Sequence, residues 1–292
     1  MAIALWMSAA RFILTLECPD AVGIVAAVAT FLADRGYSIE ESDQFHDAER
    51  GAFFMRTAFS APAPLTPSLG ELEAGFAPIA RRFAMAWRIH DLAARPKILL
   101  AVSRIDHCLI DLFHRQEAHW LKADIVGVMS NHEDLRGFVT ARGAPFHHVP
   151  VSPETKAAAE ARLLSIMEES GAELLVLARY MQVLTGATCA ALAGRAINIH
   201  HSFLPSFKGA RPYHQAFARG VKIIGATAHY VTADLDEGPI IEQGVERVAH
   251  HHTPRDLIEI GRDLERQVLA RAVRWHVERR VVISGAKTVV FR

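Results

Sequence analysis

The 292-residue sequence has little cysteine: Cys18, Cys108 and Cys189 are widely spaced, odd in number and contain no CxxC pair. That argues against a disulfide framework and a thiolate zinc site, and fits a chain kept in a reducing cytoplasm. It has no excess charge either, since 32 Lys plus Arg balance 32 Asp plus Glu. No summed field draws it onto nucleic-acid phosphates or an anionic membrane, and neither partner is expected. No apolar run reaches the roughly 20 residues that span a bilayer. The opening Met1 to Met7 is apolar, but its first basic residue, Arg11, follows the run, the wrong order for a secretory signal. There is no HExxH, and the histidine runs His250-His251-His252 and His147-His148 are sequence neighbours, not ligands spaced along one helix face. No metal site is expected.

What is present is ordinary globular composition, 51% hydrophobic and 22% charged, in a length that fits about two domains. From Arg11 the pattern reads as a strand over residues 12–16, a helix over 22–35 stopped by Gly36, strands over 37–45 and 52–59, a helix over 69–82 and a strand over 84–90. This is a ferredoxin-like βαββαβ unit, with residues 1–92 as the first domain. After the boundary at Ala93-Ala94-Arg95-Pro96, short buried runs alternate with helices. Runs over 97–102, 124–129, 146–149, 174–177 and 196–199 are expected to be parallel strands. The helices fall at 106–120, 135–142, 153–169 and about 188–193. Further strands follow at 223–231 and 240–248, then a long helix at 254–278 and a strand-like tail. The fold class is therefore α/β. Residues 96–292 form an open, mostly parallel sheet whose ligand crevice lies beyond the carboxyl ends of its strands.

Cofactor signatures are missing at the decisive place. The first strand of this sheet leads into Ser103-Arg104-Ile105-Asp106-His107-Cys108, which has no glycine. Neither a GxGxxG turn nor a Walker loop can cradle phosphates there, so NAD and ATP are not expected. The informative stretch is Asn198-Ile199-His200 at a strand end, two residues apart on one face. The Asn198 amide can donate to a carbonyl oxygen, and a histidine such as His200 can donate or exchange a proton near neutral pH. Asp236, in the loop before the Gly238-Pro239 turn, can reach His200 and orient its ring or a water molecule; by spacing alone the three residues read equally as a hydrogen-bonded strand end and a turn aspartate.

Longer motifs carry a resemblance. Residues 198–216, NIHHSFLPSFKGARPYHQA, together with Gly225-Ala226-Thr227-Ala228-His229-Tyr230-Val231 and Leu235-Asp236-Glu237-Gly238-Pro239, resemble the formyltetrahydrofolate deformylase family of the folate-dependent formyltransferase superfamily. SRIDHCLIDL at 103–112, GVMSNH at 127–132 and LARYMQVL at 177–184 extend the similarity over nearly the whole second domain. The resemblance implies formyl-handling roles for Asn198, His200 and Asp236. It implies a pterin pocket lined by Arg179, Tyr180, Met181, Gln182, Val183 and Leu184, with Val231, Thr232 and Asp234 closing the other side. No cofactor is implied beyond the 10-formyltetrahydrofolate substrate. The choice of general base between His200 and Asp236 stays open.

Leu16-Glu17-Cys18-Pro19-Asp20-Ala21-Val22-Gly23-Ile24-Val25 and Gly36-Tyr37-Ser38-Ile39 resemble an ACT domain. Such domains pair and bind small amino acids, which implies a homo-oligomer and an amino acid effector at Asp20, Gly23 and Ile24. A structural pairing role without an effector stands beside it. The missing glycine-rich loop and the mere 14 or so residues after the last helix disfavour ribonucleotide and transfer-RNA acceptors. Water is then the nucleophile, and the products are formate and tetrahydrofolate, serving purine biosynthesis or the balance of one-carbon folate pools. Formyl transfer to a small amine and a non-catalytic folate or amino acid sensor are the alternatives.

Overall fold

A computed structural model of the chain describes residues 10–205 and 212–292. The Met1 to Met7 segment and the Ser206 to Arg211 part of the long motif lie outside the described residues. The described residues divide into two compact units, one of residues 1–95 with Arg279–Val282 and Val289–Arg292, the other of Pro96–Glu278 and Ile283–Thr288.

In the first unit the order is β1 (Ala10–Pro19), α1 (Ile24–Ala33), β2 (Ser38–Asp47), β3 (Ala52–Ala61), α2 (Leu69–Arg82) and β4 (Ala86–Asp91). The strands pair antiparallel in the order β2-β3-β1-β4, the ferredoxin-like arrangement. Alternation in β1 sends Phe12, Leu14, Leu16 and Cys18 to one face, where they meet Val28, Phe31 and Leu32 of α1 and Leu72 and Phe76 of α2. The start of α2 is set by a capping box in which Ser68 and Glu71 exchange hydrogen bonds. Helix α1 is shorter than its apolar spacing predicts. Gly23 sits at φ +96, a left-handed conformation that cannot belong to the helix, so the first turn begins at Ile24. On β3, the buried Arg56 is paired with Glu41, which Arg280 also holds at 2.9 Å.

The second unit carries β5 (Lys97–Val102), α3 (His107–Glu117), β6 (Asp124–Ser130), α4 (Arg136–Thr140), β7 (Phe146–His148), α5 (Lys156–Ser170), β8 (Leu174–Leu177), α6 (Gly186–Ala191) and β9 (Ala196–His200). It continues through α7 (Pro212–Ala218), β10 (Ile223–Tyr230), β11 (Ile240–Arg247) and α8 (Pro254–Val277); β12 (Val281–Ser284) and β13 (Lys287–Val290) then form a two-stranded hairpin whose residues are divided between the two units. The seven-stranded sheet runs β11-β10-β9-β8-β5-β6-β7. Strands β5 to β9 pair in parallel, while β10 pairs antiparallel with both β9 and β11. The chain leaves β5 toward β6 and β7, then returns to place β8 on the other side of β5. That reversal of winding opens a crevice between the ends of β5 and β8, the position where open α/β sheets hold ligands. Helix α7 was not foreseen from the sequence. Helices α3 and α5 end against left-handed residues, His119 at φ +57 and Gly171 at φ +66, which close them near the expected stops. No helix among the described residues is long and apolar enough to cross a membrane.

Candidate active site

The loop after β8 is tied at both ends. At its start, Ser103 donates its backbone N–H to the Arg179 carbonyl at 3.2 Å, and the Ser103 hydroxyl accepts from the Met181 N–H at 3.0 Å while donating to Asn131 Oδ1 at 2.7 Å. At its end, the buried Glu160 carboxylate takes the Thr185 N–H at 3.0 Å and the hydroxyls of Thr185 and Thr188. So anchored, the segment turns Tyr180 and Leu184 into the core and leaves Met181 and Val183 each 54% exposed. These apolar side chains, with Leu177, Val231 and Leu235, line one side of a cavity of about 610 Å³. Arg179, Gln182, Thr232 and Asp234 line the same cavity. Exposed apolar groups gathered on a cavity wall suit a flat, largely apolar ligand.

Asn198, His200 and Asp236 meet on this cavity. His200 Nδ1 lies 3.1 Å from Asp236 Oδ2, and His200 Nε2 is buried without a partner. The antiparallel register of β9 and β10 sets His229 opposite Asn198 and Thr227 opposite His200. Each partner has a task. His229 Nδ1 donates to the Tyr230 carbonyl at 2.9 Å, and its Nε2 faces the Asn198 amide nitrogen at 3.2 Å and Asp236 Oδ1 at 3.7 Å. Thr227 donates to the Ser202 carbonyl at 2.9 Å and accepts from the Leu204 N–H at 3.1 Å and from Gln243 at 3.0 Å, fixing the chain as it leaves His200.

Asp236 takes φ +58, a left-handed conformation that aspartate tolerates better than most residues. The turn behind it demands glycine. A Cβ on Gly238 would lie 1.7 Å from the Tyr230 carbonyl oxygen. Burial works to raise the Asp236 carboxyl, but hydrogen bonds and charge from His200 and His229 outweigh it and hold the group well below the usual carboxylate range. Asp236 is therefore a carboxylate at neutral pH, and it fixes the His200 ring with Nε2 toward the cavity.

Another part of the lining is polar. Glu265 on α8 accepts from the Tyr213 hydroxyl at 2.8 Å and bonds His107 Nε2 at 2.8 Å. Tyr213 can lie so close to α8 because residue 261 is glycine; a Cβ there would sit 2.1 Å from the Tyr213 ring and hydroxyl. Burial favours the protonated form of Glu265, yet His107, Arg179 and Tyr213 together lower its pKa. His201 stands between this wall and His200, with ring centroids 5.2 Å from His200 and 6.1 Å from Tyr213. Burial, with the Arg179 charge added, pushes His201 down to about 4, so it is neutral at pH 7.

Residues 96–273 match the formyl transferase family model, and residues 12–66 match the ACT domain model. The chain is 49% identical over 282 residues to the formyltetrahydrofolate deformylase of a Corynebacterium species, covering 97% of this chain and 98% of that protein. The chain belongs to the formyltetrahydrofolate deformylase family. The crystal structure of a family member from Burkholderia mallei superposes with a TM-score of 0.92 at 54% identity, covering 97% of this chain and all of that one. Another from Pseudomonas syringae gives 0.94 at 48% identity, covering 100% and 98%.

In this family member the ACT unit's proposed effector positions gather at the turn between β1 and α1. Asp20 is exposed and faces His46 at 3.6 Å, and Gly23 is the cap residue before α1. The Ile24 side chain is buried in the core, so only its backbone at the helix start can meet a ligand. Sequence reasoning passed over His229, although it stands inside a quoted motif, because its role depends on cross-strand register. It also passed over Glu265, His107 and Tyr213, which only folding assembles.

Proposed function

We infer that this chain hydrolyses 10-formyltetrahydrofolate to formate and tetrahydrofolate. The observation that carries the mechanism is the buried, unpartnered Nε2 of His200 on a cavity it shares with Asn198 and Asp236. The apolar side chains of Met181, Val183 and Leu235 receive the pterin ring, with Tyr180, Gln182, Leu184, Val231, Thr232 and Asp234 around it and the backbone of Arg179 at its edge, while the Arg179 side chain turns to Glu265. The formyl group then reaches the Asn198, His200 and Asp236 group.

Water adds to the formyl carbon, and negative charge grows on the formyl oxygen. An N–H of Asn198, aimed before the reaction begins, stabilises that charge, while His200 Nε2, left with a lone pair because Nδ1–H points at Asp236, takes the proton from the attacking water. Asp236 keeps His200 oriented and takes up positive charge that develops on its ring. The C–N10 bond then breaks as the proton taken from water passes to N10, and the product leaves as formate, giving its remaining proton to solvent. This chemistry asks for no cofactor beyond the folate itself.

The ACT unit binds an amino acid effector at Asp20, Gly23 and the Ile24 backbone, which the helix start favours for a carboxylate. It also pairs copies of the chain into a homo-oligomer, a reading supported by edge strand β2, where Ile39 and Phe45 are 42% and 45% exposed. Three free, buried cysteines suit a cytoplasmic protein. Its formate would feed purine biosynthesis and its reaction would balance one-carbon folate pools. Formate release from 10-formyltetrahydrofolate, measured with and without candidate amino acids, tests the activity and its regulation. Purified chain that releases no formate above the uncatalysed rate would refute the assignment.

A further inference from the structure

The mechanism leaves one wall of the cavity unused. Arg179, 8% exposed, takes a left-handed backbone conformation, φ +67, that favours glycine. Its Nε lies 3.4 Å from Glu265 Oε2 without hydrogen-bond alignment, and its Nη1 is buried with no partner. An arginine on unfavourable backbone, with buried donors left over, has the marks of a functional residue more than of core packing. His107, Cys108 and Glu265 gather beside it, in surroundings that disfavour a metal ion. Burial and the Glu265 charge push the Cys108 thiol well up, and the Arg179 guanidinium beside Glu265 repels a metal ion.

The position of this wall gives it a purpose. Asp236 of loop 231–236 meets His200, and His201, whose ring lies 5.2 Å from that of His200 and 6.1 Å from that of Tyr213, links the same group to Glu265 and Arg179. With the pterin ring against Met181, Val183 and Leu235, the part of the cavity lined by Glu265 and Arg179 is left for the nucleophile. We propose that Arg179, clamped by Glu265, is a specificity-determining residue that fills the acceptor side of the cavity, admitting water and excluding amines. The inference rests on the folate reading above. Once the side chain is removed, an amine can take the place of water: a C–N bond forms to the amine, the C–N10 bond breaks, and the amine proton passes to N10.

The test is Arg179→Gly, which suits the observed backbone and deletes the side chain. Variant and wild type are given 10-formyltetrahydrofolate with increasing glycinamide, and formate and N-formylglycinamide are both quantified against enzyme-free controls. Wild type should release formate alone at every glycinamide concentration. The variant should form N-formylglycinamide at least tenfold above wild type, with formate per turnover falling in step, and Arg179→Lys should stay hydrolytic. A folded R179G that makes only formate overturns the inference and leaves the hydrolase standing, whereas wild type that makes no formate removes both. If R179G does not fold, Glu265→Gln, which releases the clamp, enters the same assay, and the absence of amine product there counts equally against the inference.

Discussion

His200 and Asp236 face each other across 3.1 Å at the end of β9, the histidine using Nδ1 for the carboxylate and keeping Nε2 buried and uncommitted. A ring so held presents a single nitrogen to the cavity, in one tautomer and one orientation.

Asp236→Asn keeps the left-handed turn, which asparagine also tolerates, but removes the charge that orients His200. Turnover should fall by roughly 10²-fold or more while tetrahydrofolate binding changes by less than about threefold. Steady-state kinetics beside a binding titration check this; full activity in the variant would remove Asp236 from the mechanism.

His229→Phe preserves ring volume and loses the contact to Asn198 at 3.2 Å. With the amide free to rotate, kcat should drop roughly 10- to 100-fold with KM nearly unchanged. A rise in KM alone would instead make His229 a contributor to folate binding.

His201 ties stability to pH. Its folded value of about 4 lies below the ordinary 6.5, so between these the unfolded chain binds a proton that the folded chain refuses. Its contribution is whole above pH 6.5 and is lost as the pH falls toward about 4. Urea midpoints at about pH 7 and about pH 5 should differ less in His201→Gln than in wild type. Equal differences in the two proteins would contradict the burial of this ring.

Gly261→Ala places a methyl group where Tyr213 now packs on α8. The ring must move off Glu265, at a cost of about 1–3 kcal/mol. Chemical denaturation reads the loss, and an unchanged midpoint would show that the contact is loose.

Much of the fold was legible because local pattern and tertiary burial agree. The alternation of Phe12, Leu14 and Leu16 marks β1, and Ser68 with Glu71 marks the start of α2. The site was legible where its residues share a strand end, as Asn198 and His200 do, or stand in a turn forced by Gly238. It was illegible where strand register or a long-range helix contact does the assembling. Nothing in the spacing of Tyr213, Gly261 and Glu265 says that a ring from one helix rests on the glycine of another. Nor does the sequence near Arg179 show that its guanidinium meets a carboxylate from α8, because that pairing depends on where the last helix crosses the sheet.

Arg279–Val282 and Val289–Arg292 are counted with the first compact unit, and Arg280 joins Glu41 there at 2.9 Å. Severing the polypeptide between Arg95 and Pro96 would therefore yield an amino-terminal fragment stripped of its own last pieces. Its Arg56 would keep Glu41 but lose the second cation that shares it. Anyone isolating the ACT unit, or grafting it onto another enzyme, should supply the distant carboxy-terminal segment in trans or splice it back on.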